Sequence, residues 1–285
     1  MQLIDWQLAE TEHRWERESA YFDAQEYAAE PIPPAVIERY RNCVRPYLAA
    51  EYPFWRLGDV RGKRILDVGC GNGTNALMLA LKGAHVVGID LSSRAIESAE
   101  MRARLHQLGD RARFICGPLE TELQNESSFD IITGFAVLHH LLPVLNKFLT
   151  EITRHGNEHT EYLFVEPVNL SPWLRRVRLA MPISVSGTPD ERPIQHAELD
   201  LVREHFGGIE IEYFHGFARF AERFLLRGIG YETASWWRRV SYCFASRLDR
   251  ILFEQLNLVQ LSSVAVICAR TGRIDPSGIA PVARH

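Results

Sequence analysis

The spacing of apolar residues changes once along the chain, close to residue 60. Before that point, residues 1–58 read as amphipathic helix with Trp6, Trp15, Tyr21, Phe22, Tyr27, Tyr40, Tyr47, Phe54 and Trp55 set among polar positions. Pro31, Pro33 and Pro34 break this stretch in two. Beyond it, short apolar runs alternate with helical spacing. Strands are expected at Arg64–Val68, His85–Asp90, Ala112–Cys116, Phe129–Thr133 and Glu161–Glu166. Helices are expected over Thr74–Leu81, closed by Gly83, and over Val144–Thr153. Another runs from a cap at Ser92 or Ser93 to about Gln107, with Glu97 placed for a capping box. Residues 167–195 are proline-rich and loop-like, and His196–Phe206 is helical up to Gly207–Gly208. Ile209–Phe214 and Ser262–Ala269 read as two closing strands.

This rhythm predicts an α/β fold, an open and mainly parallel sheet of seven strands with helices on both faces. Two parts are expected: a helical arm or cap over 1–58, and a main domain over 59–285 with a helical insertion at about 217–261. The arm is either a lid over a pocket or a packed pair of helices. The insertion holds seven arginines against four acids, a local net charge of +3, with Phe220, Phe224, Trp236, Trp237, Tyr242 and Phe244 among them. Such a segment suits a solvated helical pair, a partner subunit, an apolar or anionic substrate, or a membrane surface.

Composition adds exclusions. With 46% apolar and 24% charged residues the chain is globular rather than mainly disordered. Its net charge of −4 supplies no bulk basic field, so no nucleic-acid partner is expected. The five cysteines are odd in number and include no C-x-x-C pair, which indicates neither a disulfide framework nor a zinc site and fits reduced thiols in the cytoplasm. The N-terminus is acidic and lacks the apolar stretch of a signal peptide, and no window has the run of about 18 apolar residues that a membrane span needs.

The candidate chemistry follows the first strand. Asp67-Val68-Gly69-Cys70-Gly71-Asn72-Gly73-Thr74 lets the backbone turn sharply, approach a ligand closely and present the free N–H groups of the next helix. Asp90, ending the second strand, can accept both hydroxyls of a ribose. A phosphate-binding P-loop needs a lysine that this loop lacks, and a dinucleotide fingerprint needs glycine where Thr74 stands. That disfavours a nicotinamide-dependent reductase. Asp67 sits badly beside a pyrophosphate and well beside a cation.

ILDVGCGNGTNALMLA (65–80) resembles the first motif of class I S-adenosylmethionine-dependent methyltransferases. VVGIDLS (86–92) resembles their second motif, and FDIITGFAVLHHL (129–141) their segment around strand four. The resemblance covers residues 60–170 closely and the closing strands loosely. It implies a Rossmann-like fold and S-adenosyl-L-methionine as cofactor. Gly69, Gly71 and Gly73, with Cys70 and Asn75 beside them, would pass under the methionine part and ribose. Asp67 would lie near the amino-acid end, Asp90 would hold the ribose, and Leu91 would pack on adenine. Leu119 and Glu120 fall near the adenine edge, where Gly117-Pro118 replaces the usual Gly-Asp. Phe135 would contribute backbone near the sulfonium.

The resemblance also implies methyl transfer to an O, N or S nucleophile of a small-molecule, natural-product-like acceptor. His139 and His140, just past strand four, are candidate bases. They are also residues that in many relatives only pack. No metal is expected, since Ala136 and His139 stand where metal-using relatives place carboxylates. Tyr21 of the arm, Glu166, Asn169 and Trp173 are candidate substrate contacts. For Glu166 the alternative is a carboxylate bound to backbone N–H groups, and His196 marks a helix start. The other readings are a methyltransferase acting on RNA or protein, and a non-catalytic regulatory or scaffold protein that binds the cofactor. Gly134-Phe135-Ala136-Val137 lacks the Asn/Asp-Pro-Pro-Tyr pattern of base amino-group methylation. A homodimer stays open.

Overall fold

A computed structural model describes residues 15–270, apart from 28, 125, 127, 173–175, 177–190 and 227–229. Seven strands form one sheet: β1 (Arg64–Val68), β2 (His85–Asp90), β3 (Ala112–Cys116), β4 (Ile131–Phe135), β5 (Glu161–Pro167), β6 (Glu210–Phe214) and β7 (Val264–Arg270). Their order is β3-β2-β1-β4-β5-β7-β6, and only β7 runs antiparallel to its neighbours. The order reverses between β1 and β4, so the loops leaving those two strands open the crevice where such sheets bind ligands. The expected open, mainly parallel, Rossmann-like sheet is the one observed.

Helices cover both faces: α1 (15–23), α2 (Pro34–Asn42), α3 (Tyr52–Leu57), α4 (Thr74–Leu81), α5 (Ser93–Leu105), α6 (Leu119–Glu122), α7 (Leu145–Arg154), α8 (His196–Phe206), α9 (Phe217–Ala221) and α10 (Trp236–Glu254). Neighbouring strand residues point to opposite faces, so Ile65 joins the layer under α2–α5 and Leu66 the layer under α7 and α8. Ala76 to Ala80 of α4 are all buried, because α2 packs on the side away from the sheet. That is why this helix is apolar all round.

Three local details differ from the sequence reading. β4 spans Ile131–Phe135, two residues later than expected, because Gly134 and Phe135 keep pairing with β5 while Phe129 turns into the core ahead of the strand. Ser92 is the cap of α5, but the residue three positions on is Ala95 and Glu97 is exposed, so no capping box forms. Asp23 of α1 supplies the missing carboxylate, accepting the Ser92 hydroxyl at 2.6 Å and the Arg94 N–H at 3.2 Å. The capping box of this chain lies instead at Gln195 and Glu198, where His196 opens α8.

Candidate functional site

The loop after β1 is held from both sides. Gly69 and Cys70 donate their N–H groups to the Ile89 carbonyl, and Gly71 donates to Asp90 Oδ2 at 2.8 Å. Asp90 Oδ1 accepts from Ser92 N at 2.9 Å, so one carboxylate ties the loop to the end of β2. Gly69 has φ 65° and presses on Val137, where a Cβ would stand 2.7 Å from Cγ2. Gly71 has φ 52°, and a Cβ there would meet nothing within 4 Å. The loop's crown therefore faces open space with room for a ligand to lie against the backbone.

Asp67 is 1% exposed beneath this loop. It accepts a hydrogen bond from Thr133 Oγ1 at 2.8 Å. Burial, with the Asp90 charge adding to it, pushes its carboxyl up to about 7, against the pull of Thr133 and the Ala76 N–H. Burial also raises Asp90, while the N–H groups of Ser92, Gly71 and Leu91 oppose the shift. Two acids poised this way favour a cationic ligand, which would stabilise the ionised form of both.

The loop after β4 carries the second half of the site. Glu166, fully buried at the end of β5, accepts from Val137 N at 2.9 Å and Leu138 N at 2.7 Å through Oε1. Its Oε2 faces His139 Nδ1 at 2.9 Å. A carboxylate in that position holds the proton on Nδ1 and leaves Nε2 as a proton acceptor. Ala136, at φ 60°, makes the sharp turn that brings this segment back over the sheet. His140 stacks against His139, with ring centroids 4.1 Å apart. Its Nδ1 lies 2.9 Å from Glu191 and 3.6 Å from Glu18. Desolvation works against its charged form, but Glu18, Glu191 and Glu166 outweigh it and hold its pKa above the ordinary histidine value.

The arm lies across both halves. From α1, Ser19 donates to the Leu91 carbonyl, Asp23 caps α5, and Phe22 sets its ring edge-on to His140. These contacts pack α1 against the ends of β2 and β4. Arg102, buried in α5, donates to the carbonyls of Asn72 and Glu30 and so joins the glycine loop to the chain that follows α1.

The remaining expected contacts separate. Leu91 and Asn75 are half-buried at the loop, and Tyr21 is half-buried on α1 beside Phe22. Cys70 is buried beneath the loop against Gly88, so its side chain belongs to the core. Leu119 also packs in the core, against the α7 layer, and Glu120 reaches toward Lys147. Phe135 is half-buried and stacks on Phe54 of the arm. Both oxygens of Glu166, expected as a substrate contact, are engaged by backbone N–H groups and His139. The alternative stated for it is the one observed. Asn169 lines a cavity of about 490 Å³ with Leu170, Pro172, Arg176 and His196, and its buried Oδ1 has no hydrogen-bond partner among the described residues. Trp173 lies outside the described residues. Glu18 and Glu191 were not anticipated. Nothing local marks them, because each gains its meaning from a histidine far away in sequence.

The switch-point crevice, the braced glycine loop and the acid ending β2 are the features that the motif resemblance to class I S-adenosylmethionine-dependent methyltransferases implies. Residues 59–192 match the family model described as a methyltransferase domain. A ubiquinone biosynthesis O-methyltransferase of Neisseria meningitidis is 39% identical over 85 residues, 29% of this chain and 35% of the relative. One from Psychrobacter cryohalolentis is 33% identical over 101 residues, 35% of this chain and 39% of the relative. The chain thus spans little more than a third of these curated relatives' length. The geranyl diphosphate C-methyltransferase of Streptomyces coelicolor shares the fold with a TM-score of 0.56 at 13% identity, over 91% of this chain and 98% of its own.

Proposed function

We propose that this chain transfers a methyl group from S-adenosyl-L-methionine to an O, N or S nucleophile of a small-molecule acceptor. The observation that carries the reading is the glycine loop clasped by Asp90, with an open crown and a buried acid beneath it. Asp90 would hold the ribose, Gly69–Gly73 the chain between ribose and methionine, and Asp67 the charge balance of the amino-acid end. When bound, the cofactor supplies a sulfonium methyl with a good leaving group. Much of the remaining task is then positioning and exclusion of water.

The residues present suit both tasks. Glu166 fixes the ring of His139, whose Nε2 is available to take a proton from a hydroxyl or protonated amine. Here Glu166 is a positioning residue and His139 the base. His140 serves the lid, through Glu18 and Phe22. Asn169 would receive a donor from the acceptor molecule. His139, His140 and Glu191 each offer a ligand atom within 4.8 Å of the others, a set that could take a divalent ion. We assign the cluster to proton and lid chemistry, so activity is expected to survive EDTA. No helix among the described residues is long and apolar enough to cross a membrane.

Calorimetric titration with S-adenosylhomocysteine tests the reading, with NAD as control. Micromolar binding is expected, weakened at least tenfold in Asp90→Asn. Binding of NAD, or of neither ligand, would overturn it.

A further inference from the structure

The helix α10 is turned inside out. The side it lays on the protein carries Tyr242, Ser246, Asp249 and Phe253. Asp249 is 2% exposed, and its carboxylate accepts the N–H groups of Gly216, Phe217 and Ala218, which fixes α9. The side facing away holds Trp236 at 70% exposure, Trp237, Val240, Phe244 at 70%, Leu248 and Ile251. Positions 237, 240, 244, 248 and 251 fall three and four apart, a single stripe along the helix. Phe217, Phe220 and Phe224 are exposed in and just after α9. Folding normally spends such residues on the core, and an apolar stripe left outside marks a contact with something else.

Charge selects the occupant. Arg223, Arg238, Arg239 and Arg247 have no carboxylate within salt-bridge distance among the described residues. The acids nearby are engaged: Asp249 by backbone, Glu254 by Arg250, and Glu232 by Arg39. A second copy meeting this face about a two-fold axis would bring arginines together with no acid opposite. An anionic lipid surface offers apolar depth for the stripe and phosphate for the arginines.

We propose that α9 and α10 dock this protein on a bilayer surface bearing anionic headgroups. The inference is independent of the methyl-transfer reading, and its test needs no activity. The full chain is floated with vesicles of phosphatidylcholine alone and of phosphatidylcholine mixed with phosphatidylglycerol. It should rise only with the anionic vesicles, with a blue shift of tryptophan emission and a loss of binding at high salt. Replacing Arg238, Arg239 and Arg247 together by Gln should weaken partitioning by roughly two orders of magnitude. Trp236→Ser with Phe244→Ser should abolish the blue shift. Trp236, Phe244 and Arg247 are exposed and Arg238 and Arg239 half-buried, so the melting temperature of each variant is measured alongside and only variants that keep it are compared. Equal flotation of well-folded variants would overturn the proposal. So would absence of binding to anionic vesicles, or a stable dimer in solution that Phe244→Ser dissociates.

Discussion

Asp67 is buried under the glycine loop at a cost to the fold. Its pKa in the folded chain is pushed up to about 7, above the unfolded value near 3.9. The protonated form therefore contributes stability that is complete below about pH 4 and is lost as pH rises through about 7. Asp67→Asn should melt several degrees above the unaltered protein near pH 8 and close to it near pH 4. Binding of the cationic cofactor should weaken in the same variant near pH 8. Scanning calorimetry at the two pH values reads the first effect, and titration reads the second. A variant no more stable at the higher pH would show that Thr133 and the Ala76 N–H already offset the burial. The same scale explains Glu166: a carboxylate engaged by two backbone N–H groups and an imidazole orders a loop rather than meeting a substrate.

Between elements, two contacts fix the arm. The first is the docking of α1 through Glu18 and His140. Because carboxylates raise the pKa of His140 in the fold, the attraction is full below its unfolded value and fades as pH rises through the folded one. Hydrogen-exchange protection of residues 15–23 should therefore fall across neutral pH, after correction for intrinsic exchange. His140→Gln should remove that dependence. The second is Glu51, fully buried, which accepts from Arg39 Nε at 2.7 Å and pairs with Arg45 Nε at 2.9 Å. Arg39 also reaches Glu232 at 2.8 Å, and so joins α2 to the insertion ahead of α10. Glu51→Ala leaves the half-buried Arg45 without its carboxylate and Arg39 with Glu232 alone, and should cost about 3 kcal/mol in urea unfolding. Arg39→Ala added to it should cost less than the sum of the two single changes.

Across the whole molecule, the strands and most helices were legible because their signals are local. Apolar runs of strand length stand between helices of period 3.6, and glycine is required where the backbone turns at positive φ. The glycine loop and Asp90 stand out in this way, the histidine pair came from the motif resemblance, and their placement at the switch point follows from strand order. The end of β4, the capping partner of Ser92 and the surroundings of His140 were not legible, since each depends on residues far along the chain. Asp23 replaces the expected Glu97, Glu191 arrives from the segment before α8, and Asp249 caps a helix from 31 to 33 positions away. Sequence alone determined the α/β sheet and the cofactor loop, because period and backbone conformation are properties of neighbouring residues. Only the tertiary structure decided that Glu166 engages His139, that α1 packs beside His140 and that α10 keeps its aromatic side outward. Those outcomes depend on which distant surfaces meet, and burial of one face of a helix is settled only by what packs against it.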